Sequence, residues 1–203
     1  MKDESGKGPA NAGDLRVRRT LASIRSAFMA MLREKEYSKI SVLDLARRAG
    51  ISRKTFYLHY DGLGDLAAGI QREILSELIP KGTRMDSIED VRNAVRRFFK
   101  MVGSDPLLHE RLLCQAFEPG MARGINRSAI ALFKSRLCGT FASDGARESI
   151  IWSLFCASGL SAFRQWVEDG KRIPLDDVRE IVERTVCNGM AAWLGAEGAG
   201  GGK

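Results

Sequence analysis

A chain of 203 residues, 44% hydrophobic and 28% charged, has the apolar content for a packed core in one or two small globular domains, which excludes a chain that stays disordered throughout. Its net charge of +7 is unevenly placed: residues 1–60 hold 13 Lys+Arg against 6 Asp+Glu, and the remainder holds 19 of each. The whole basic excess therefore lies in the first third, which favours a polyanionic partner and salt-dependent binding. A ribosome-like or membrane-surface binder would share the basicity, but neither requires the helical turn described below.

Met1–Asp14 is polar and glycine-rich, without the pattern of a secretory signal, so a disordered arm over 1–14 and a cytoplasmic protein are the expectations. Arg16, Arg18 and Arg19 follow directly and suit either an arm that reaches phosphates or a minor groove, or a solvated helix start. Leu21, Ile24, Phe28, Met31 and Leu32 then form one face of a first helix. That helix packs on the following hairpin to make a three-helix domain over residues 15–62.

The hairpin is Ser41–Tyr60, SVLDLARRAGISRKTFYLHY. Ser41 and Asp44 have capping-box spacing, and Val42, Leu45, Ala46 and Ala49 make one apolar stripe. Gly50 ends this helix because a left-handed position costs a residue without Cβ the least. Ile51 is an apolar plug, and Ser52 caps a second helix, Arg53–Tyr60. Ala46 lets the helices cross closely, and Phe56 points back to hold the crossing. Arg53, Lys54, Thr55, Tyr57 and His59 are left on the exposed face. That face has donors for guanine edges and phosphates, a hydroxyl, and an aromatic ring for a thymine methyl. Arg53 and Lys54 are the base-edge candidates. Thr55 and Tyr57 suit bases or phosphates, and Ser41, Ser52, His59 and Tyr60 suit phosphates. Tyr60 reads equally as half-buried packing, and Leu58 as core or surface. On spacing alone, a plain helical hairpin with a solvated basic face is the competing reading.

The run DLARRAGISRKTFYLHY, preceded by the helix Arg18–Glu34 and the link EYSKIS, resembles the DNA-binding domain of the tetracycline-repressor (TetR) family of bacterial transcription regulators. The resemblance covers about Val17 to Ile79 and implies an all-α fold. Its N-terminal three-helix helix-turn-helix domain would precede a C-terminal helical ligand-binding and dimerisation domain. It also implies a linking helix, 63–80, whose start usually presents a lysine to phosphate. The matching position here is Leu63, which puts one phosphate contact in doubt but not the fold.

Leu66, Ala67, Ile70, Ile74 and Leu78 carry that helix to Pro80, and PKGTRMD (80–86) marks a boundary before a body spanning 81–195. Asp86 with Glu89, or Ser87 with Asp90, caps a helix with Val91, Val95, Phe98, Phe99 and Val102 on its apolar face. Ser104-Asp105-Pro106 starts another helix, and Pro119-Gly120 breaks the segment after it. A helix over about 123–141 follows, and Ser143-Asp144-Gly145 breaks the chain again. Ser149–Phe163 contains no charged residue, yet it is shorter than the ~20 apolar residues of a membrane span. It must be covered on all sides, with Ala157, Ser158, Gly159, Ser161 and Ala162 permitting close approach of a second subunit. The last helix, Leu175–Leu194, repeats Val178, Ile181, Val182, Thr185, Met190 and Trp193, and residues 196–203 read as a flexible tail. These two helices are the expected homodimer interface, where the resemblance also implies a four-helix bundle.

A dimer reads two half-sites of a palindromic operator in double-stranded DNA. The resemblance implies a repressor released by a small-molecule effector in the body. The expected lining is Phe98, Phe99, Cys114, Phe117, Phe133, Leu137, Trp152 and Phe155, which suits an apolar or aromatic molecule and reads equally as plain core. An architectural or division-linked DNA binder of the same fold, without a ligand, is the alternative. Cys114, Cys138, Cys156 and Cys187 lack CxxC spacing and read as buried thiols, so no metal or cofactor is expected. No catalytic residues are expected. His109 beside Glu110 is the one hint of enzyme chemistry in the body, and neighbours on a helix point in different directions.

Overall fold

The computed structural model describes residues 12–78, 87–115 and 145–198, all organised as helices and turns. The elements are α1 (Ala12–Glu34), a 3-10 turn (Tyr37–Lys39), α2 (Val42–Arg48), α3 (Arg53–Tyr57), α4 (Leu63–Leu78), α5 (Ile88–Ser104), α6 (Pro106–Glu110), a π-helical turn (Arg111–Gln115), α7 (Gly145–Glu168) and α8 (Leu175–Gly198). No described residue is in a strand, so the fold is all-α. No helix among the described residues is long and apolar enough to cross a membrane. The chain divides into two compact units, 1–66 and 67–203, and the division falls inside α4.

In the first unit, Ile24, Ala27, Phe28, Met31 and Leu32 of α1 are buried along with Leu45, Ala46 and Phe56. The first helix starts earlier than the sequence suggested: Ala12–Asp14, expected in the arm, are its first residues. Asp14 favours the positive end of the helix dipole and pairs with Arg18 one turn on, at 3.0 Å. Residues 1–11 of the expected arm lie outside the described residues. A second correction concerns α3, which ends at Tyr57 rather than Tyr60. Its backbone tightens there, with both His59 N–H (3.0 Å) and Tyr60 N–H (3.1 Å) reaching the Phe56 carbonyl.

The second unit is built around α5, α7 and α8, with α5 and α7 both lying against α8. Of the two capping alternatives, Ser87 with Asp90 is the one formed: Ser87 Oγ accepts the Asp90 N–H at 3.2 Å, and Asp90 Oδ2 accepts the Ser87 N–H at 2.9 Å. Asp105 caps α6 by accepting the Leu108 N–H at 3.2 Å, with Pro106 in the first turn. The core joins Val91, Val95, Phe99 and Val102 to Trp152, Phe155, Phe163, Val178, Val182 and Met190.

Small residues on α7 serve this core as well as the outer face. A Cβ on Gly159 would lie 3.4 Å from the Phe98 ring of α5, so this glycine, expected to admit a second subunit, admits a neighbour in its own body. Ile150 (62% exposed) and Leu154 (68%) remain uncovered in the single chain. The final helix runs to Gly198, so Ala196–Gly198, expected in the flexible tail, continue it. Ala196 and Glu197 are good helix formers and supply no stop signal. The expected helix over 123–141, Pro119-Gly120, Ser143-Asp144 and Cys138 lie outside the described residues, and Gly145, expected in the second break, is the first residue of α7.

The left-handed backbone at Gly50 (φ +67°) has no atom within 4 Å of where a Cβ would stand. Gly50→Ala should therefore destabilise the protein by about 1 kcal/mol through backbone strain alone. Urea unfolding measures this, and an unchanged midpoint would show that the turn relaxes without cost.

Candidate DNA-reading head and candidate effector site

The head is fixed at the turn between α2 and α3. Ile51 N–H bonds the Ala46 carbonyl at 2.9 Å and Gly50 N–H the Arg47 carbonyl at 3.2 Å, the paired bonds of a glycine-ended helix. Ser23 of α1 donates to the Ala49 carbonyl at 2.7 Å and satisfies another helix-end acceptor. Below the crossing, Ala46 and Phe56 are buried. Phe56 meets Tyr57 edge-on at 5.4 Å and Tyr60 in a tilted contact at 5.6 Å. The guanidinium of Arg48 pairs with both carboxylate oxygens of Glu34, tying α2 to α1 and holding that carboxyl below its usual range.

Each expected reading residue falls on this head. Arg53 and Lys54 open α3 and are exposed, and Tyr57 is half exposed. Thr55 is half-buried, and its hydroxyl lies 2.9 Å from Ser52 Oγ. Ser52 Oγ accepts the Thr55 N–H at 3.0 Å, so this hydroxyl caps α3. Ser41 Oγ accepts the Asp44 N–H at 3.1 Å and donates to Asp44 Oδ2 at 2.8 Å. Its donor is thus already directed to a carboxylate, and a phosphate contact requires that hydroxyl to turn. His59 and Tyr60 lie just beyond α3 and are half-buried, and burial raises the Tyr60 phenol above its usual value. Leu58, ambiguous in sequence, is 72% exposed, the most exposed large apolar side chain among the described residues. Leu63 begins α4.

The candidate effector lining is only partly within the described residues. Phe99, Trp152 and Phe155 are buried in one cluster, with Phe98 and Cys114 packed against it. Trp152 meets Phe155 edge-on at 5.7 Å and Phe98 meets Phe99 at 5.3 Å. Phe117, Phe133 and Leu137 lie outside the described residues. Burial pushes the Cys114 thiol up to about 11 and the Cys156 thiol up to about 12, so neither is a reactive thiolate near neutral pH. His109 is buried with Nδ1 2.9 Å from the Asp105 carbonyl, and Glu110 pairs with Lys171 at 2.6 Å. Of the pair that hinted at enzyme chemistry, His109 thus bonds back to the start of its own helix, and Glu110 ties the end of α6 to the turn after α7.

Two polar residues near this lining escaped the sequence reading. Gln71 of α4, 1% exposed, donates Nε2 to the Leu112 carbonyl at 2.6 Å. Arg164 of α7 donates Nε and Nη2 to the Leu113 carbonyl at 2.9 and 2.7 Å. Both engage the π-helical turn, next to Cys114 in sequence. A polar residue on an otherwise apolar helical face was the available signal.

The family described as bacterial regulatory proteins, tetR family, matches residues 24–69, which include α2, the turn and α3. A protein of Mycobacterium tuberculosis named as a mycofactocin biosynthesis transcriptional regulator is 27% identical over 145 residues, 66% of this chain and 72% of that one. A TetR transcriptional regulator from Rhodococcus sp. RHA1 has the same fold with a TM-score of 0.69 at 14% identity, covering 85% of this chain and 96% of that one. The transcriptional regulator FadR from Bacillus subtilis, solved in complex with stearoyl-CoA, gives a TM-score of 0.57 at 14% identity, over 83% of this chain and 98% of that one. Residues 24–69 thus carry a DNA-binding domain of the TetR family, and the sequence relative and the likeness of fold along most of the chain agree with a transcriptional regulator of that kind.

Proposed function

We propose that this regulator is a homodimeric repressor that reads a palindromic operator and leaves it when a small molecule occupies the body. The observation that carries the DNA reading is the solvent-facing pair Arg53 and Lys54 at the start of α3, backed by the buried Phe56 that fixes the helix. Arg53 and Lys54 take base edges, Thr55 and Tyr57 contribute to bases or phosphates, and His59, Tyr60, Ser41 and Ser52 hold the backbone.

The dimer reading rests on an uncharged stripe of α7. Ile150, Leu154, Ala157 and Ser161 recur at i, i+4, i+7 and i+11, and the two large ones are more than half exposed. On α8, Ile181 (57% exposed), Thr185 and Asn188 form a similar stripe. Uncovered isoleucine and leucine at this spacing favour a second copy, whose own stripe is self-complementary under a twofold axis. Two heads related by that axis then meet two half-sites.

The effector reading rests on the aromatic cluster of the body. A ligand there lowers operator affinity only through a preference for the conformation that fits DNA poorly. That FadR holds stearoyl-CoA supports an apolar ligand class for this fold.

Leu154→Glu places a charge on the exposed stripe without touching the core. It should leave the helical circular dichroism intact, convert the protein to monomer by sedimentation, and abolish tight operator binding. A variant that stays dimeric would move the interface elsewhere. Arg53→Ala should relax discrimination at one operator position by about 1–3 kcal/mol, whereas His59→Ala should weaken all sequences alike. Equal loss of specific and nonspecific binding in Arg53→Ala would remove Arg53 from base reading. Both are measured by fluorescence anisotropy with operator and scrambled duplexes.

A further inference from the structure

Gln71 presents a polar atom that the fold does not use. Its side chain is 1% exposed, and Nε2 donates to the Leu112 carbonyl at 2.6 Å, while Oε1 has no hydrogen-bond partner among the described residues. The amide cannot escape by flipping, because Oε1 would then face a carbonyl oxygen at the same short distance. A buried acceptor left unmade disfavours the folded state. Its neighbourhood is the π-helical turn Arg111–Gln115, which carries Cys114 and whose Leu112 and Leu113 carbonyls are taken up by Gln71 and Arg164. Turns of this type recur at functional sites, and ligand pockets combine apolar walls with a few fixed polar groups.

We infer that Gln71 Oε1 is the hydrogen-bond acceptor that recognises the effector, and that the effector is a largely apolar, neutral molecule carrying an O–H or amide N–H donor. The inference rests on the effector reading above and deepens it by naming the ligand class. An acceptor selects donors. Gln71 is 1% exposed, and bringing an ammonium to so buried an acceptor would strip its hydration, which narrows the donor to a neutral one. The fixed amide gives discrimination that the aromatic cluster alone lacks, since an apolar wall distinguishes poorly between molecules of one shape.

The test uses two probes of similar shape, 2-naphthol and 2-methoxynaphthalene, of which only the first has a donor. Isothermal titration of the full chain should show 2-naphthol binding about tenfold tighter, and Gln71→Met should bring the two within about twofold by weakening 2-naphthol alone. A crystal structure of the native protein with 2-naphthol should put the hydroxyl within hydrogen-bond distance of Oε1, a readout that stands even if the variant fails to fold. Equal affinity of the two probes in the native protein, or a preference that survives Gln71→Met, overturns the role of Gln71 and leaves the effector reading intact. Binding of neither probe up to their solubility removes the aromatic site itself, and this inference with it.

Discussion

The close crossing of α2 and α3 is the constraint on which the reading head depends. Gly50 turns the chain in a left-handed conformation, two backbone bonds close the end of α2, and Ser23 of α1 satisfies the Ala49 carbonyl. Ala46 leaves room for the crossing and Phe56 fills the space beneath it, both almost fully buried. With these in place, Arg53 and Lys54 project from the first turn of a short helix whose direction is set by packing rather than by its own five residues. A recognition helix this short is marginal alone, so its geometry is only as good as the crossing.

The second unit meets a different requirement. Its core is aromatic and aliphatic, and two polar side chains, Gln71 and Arg164, converge on one turn. A π-helical turn is tolerated where its carbonyls find partners outside the helix. Gln71 and Arg164 supply them from α4 and α7. The outer face of α7 lacks charge over several turns, an arrangement that costs solubility in a monomer and becomes an advantage when two copies associate.

Much of this was legible in sequence because it is local. Ser52, Ser87 and Asp105 cap the helices their spacing foretold, and Gly50 and Phe56 occupy the turn and the core as the pattern required. The misreadings have physical causes. The helix capped by Ser52 is expected to run to Tyr60, but after Tyr57 the His59 N–H closes onto the Phe56 carbonyl in a tighter turn. Gly159 looked like a subunit contact because small residues admit any neighbour, and only the fold shows that the neighbour is Phe98. The π-helical turn was invisible, since its partners Gln71 and Arg164 lie 41 and 51 residues from the carbonyls they bond. Of the reading residues, their display on one head was legible. The caps at Ser41 and Ser52 were legible too, but that their hydroxyls are also engaged by the Asp44 carboxylate and the Thr55 hydroxyl is seen only in the geometry.

The most direct measurement is selection of genomic fragments by the purified protein at moderate salt, followed by sequencing of what is retained. A homodimeric, sequence-reading regulator predicts enrichment of one short inverted repeat at few sites, and loss of that enrichment in Arg53→Ala. Hundreds of scattered sites without a shared repeat would instead favour an architectural binder. Together with retention unaffected by Arg53→Ala, that result would contradict the account.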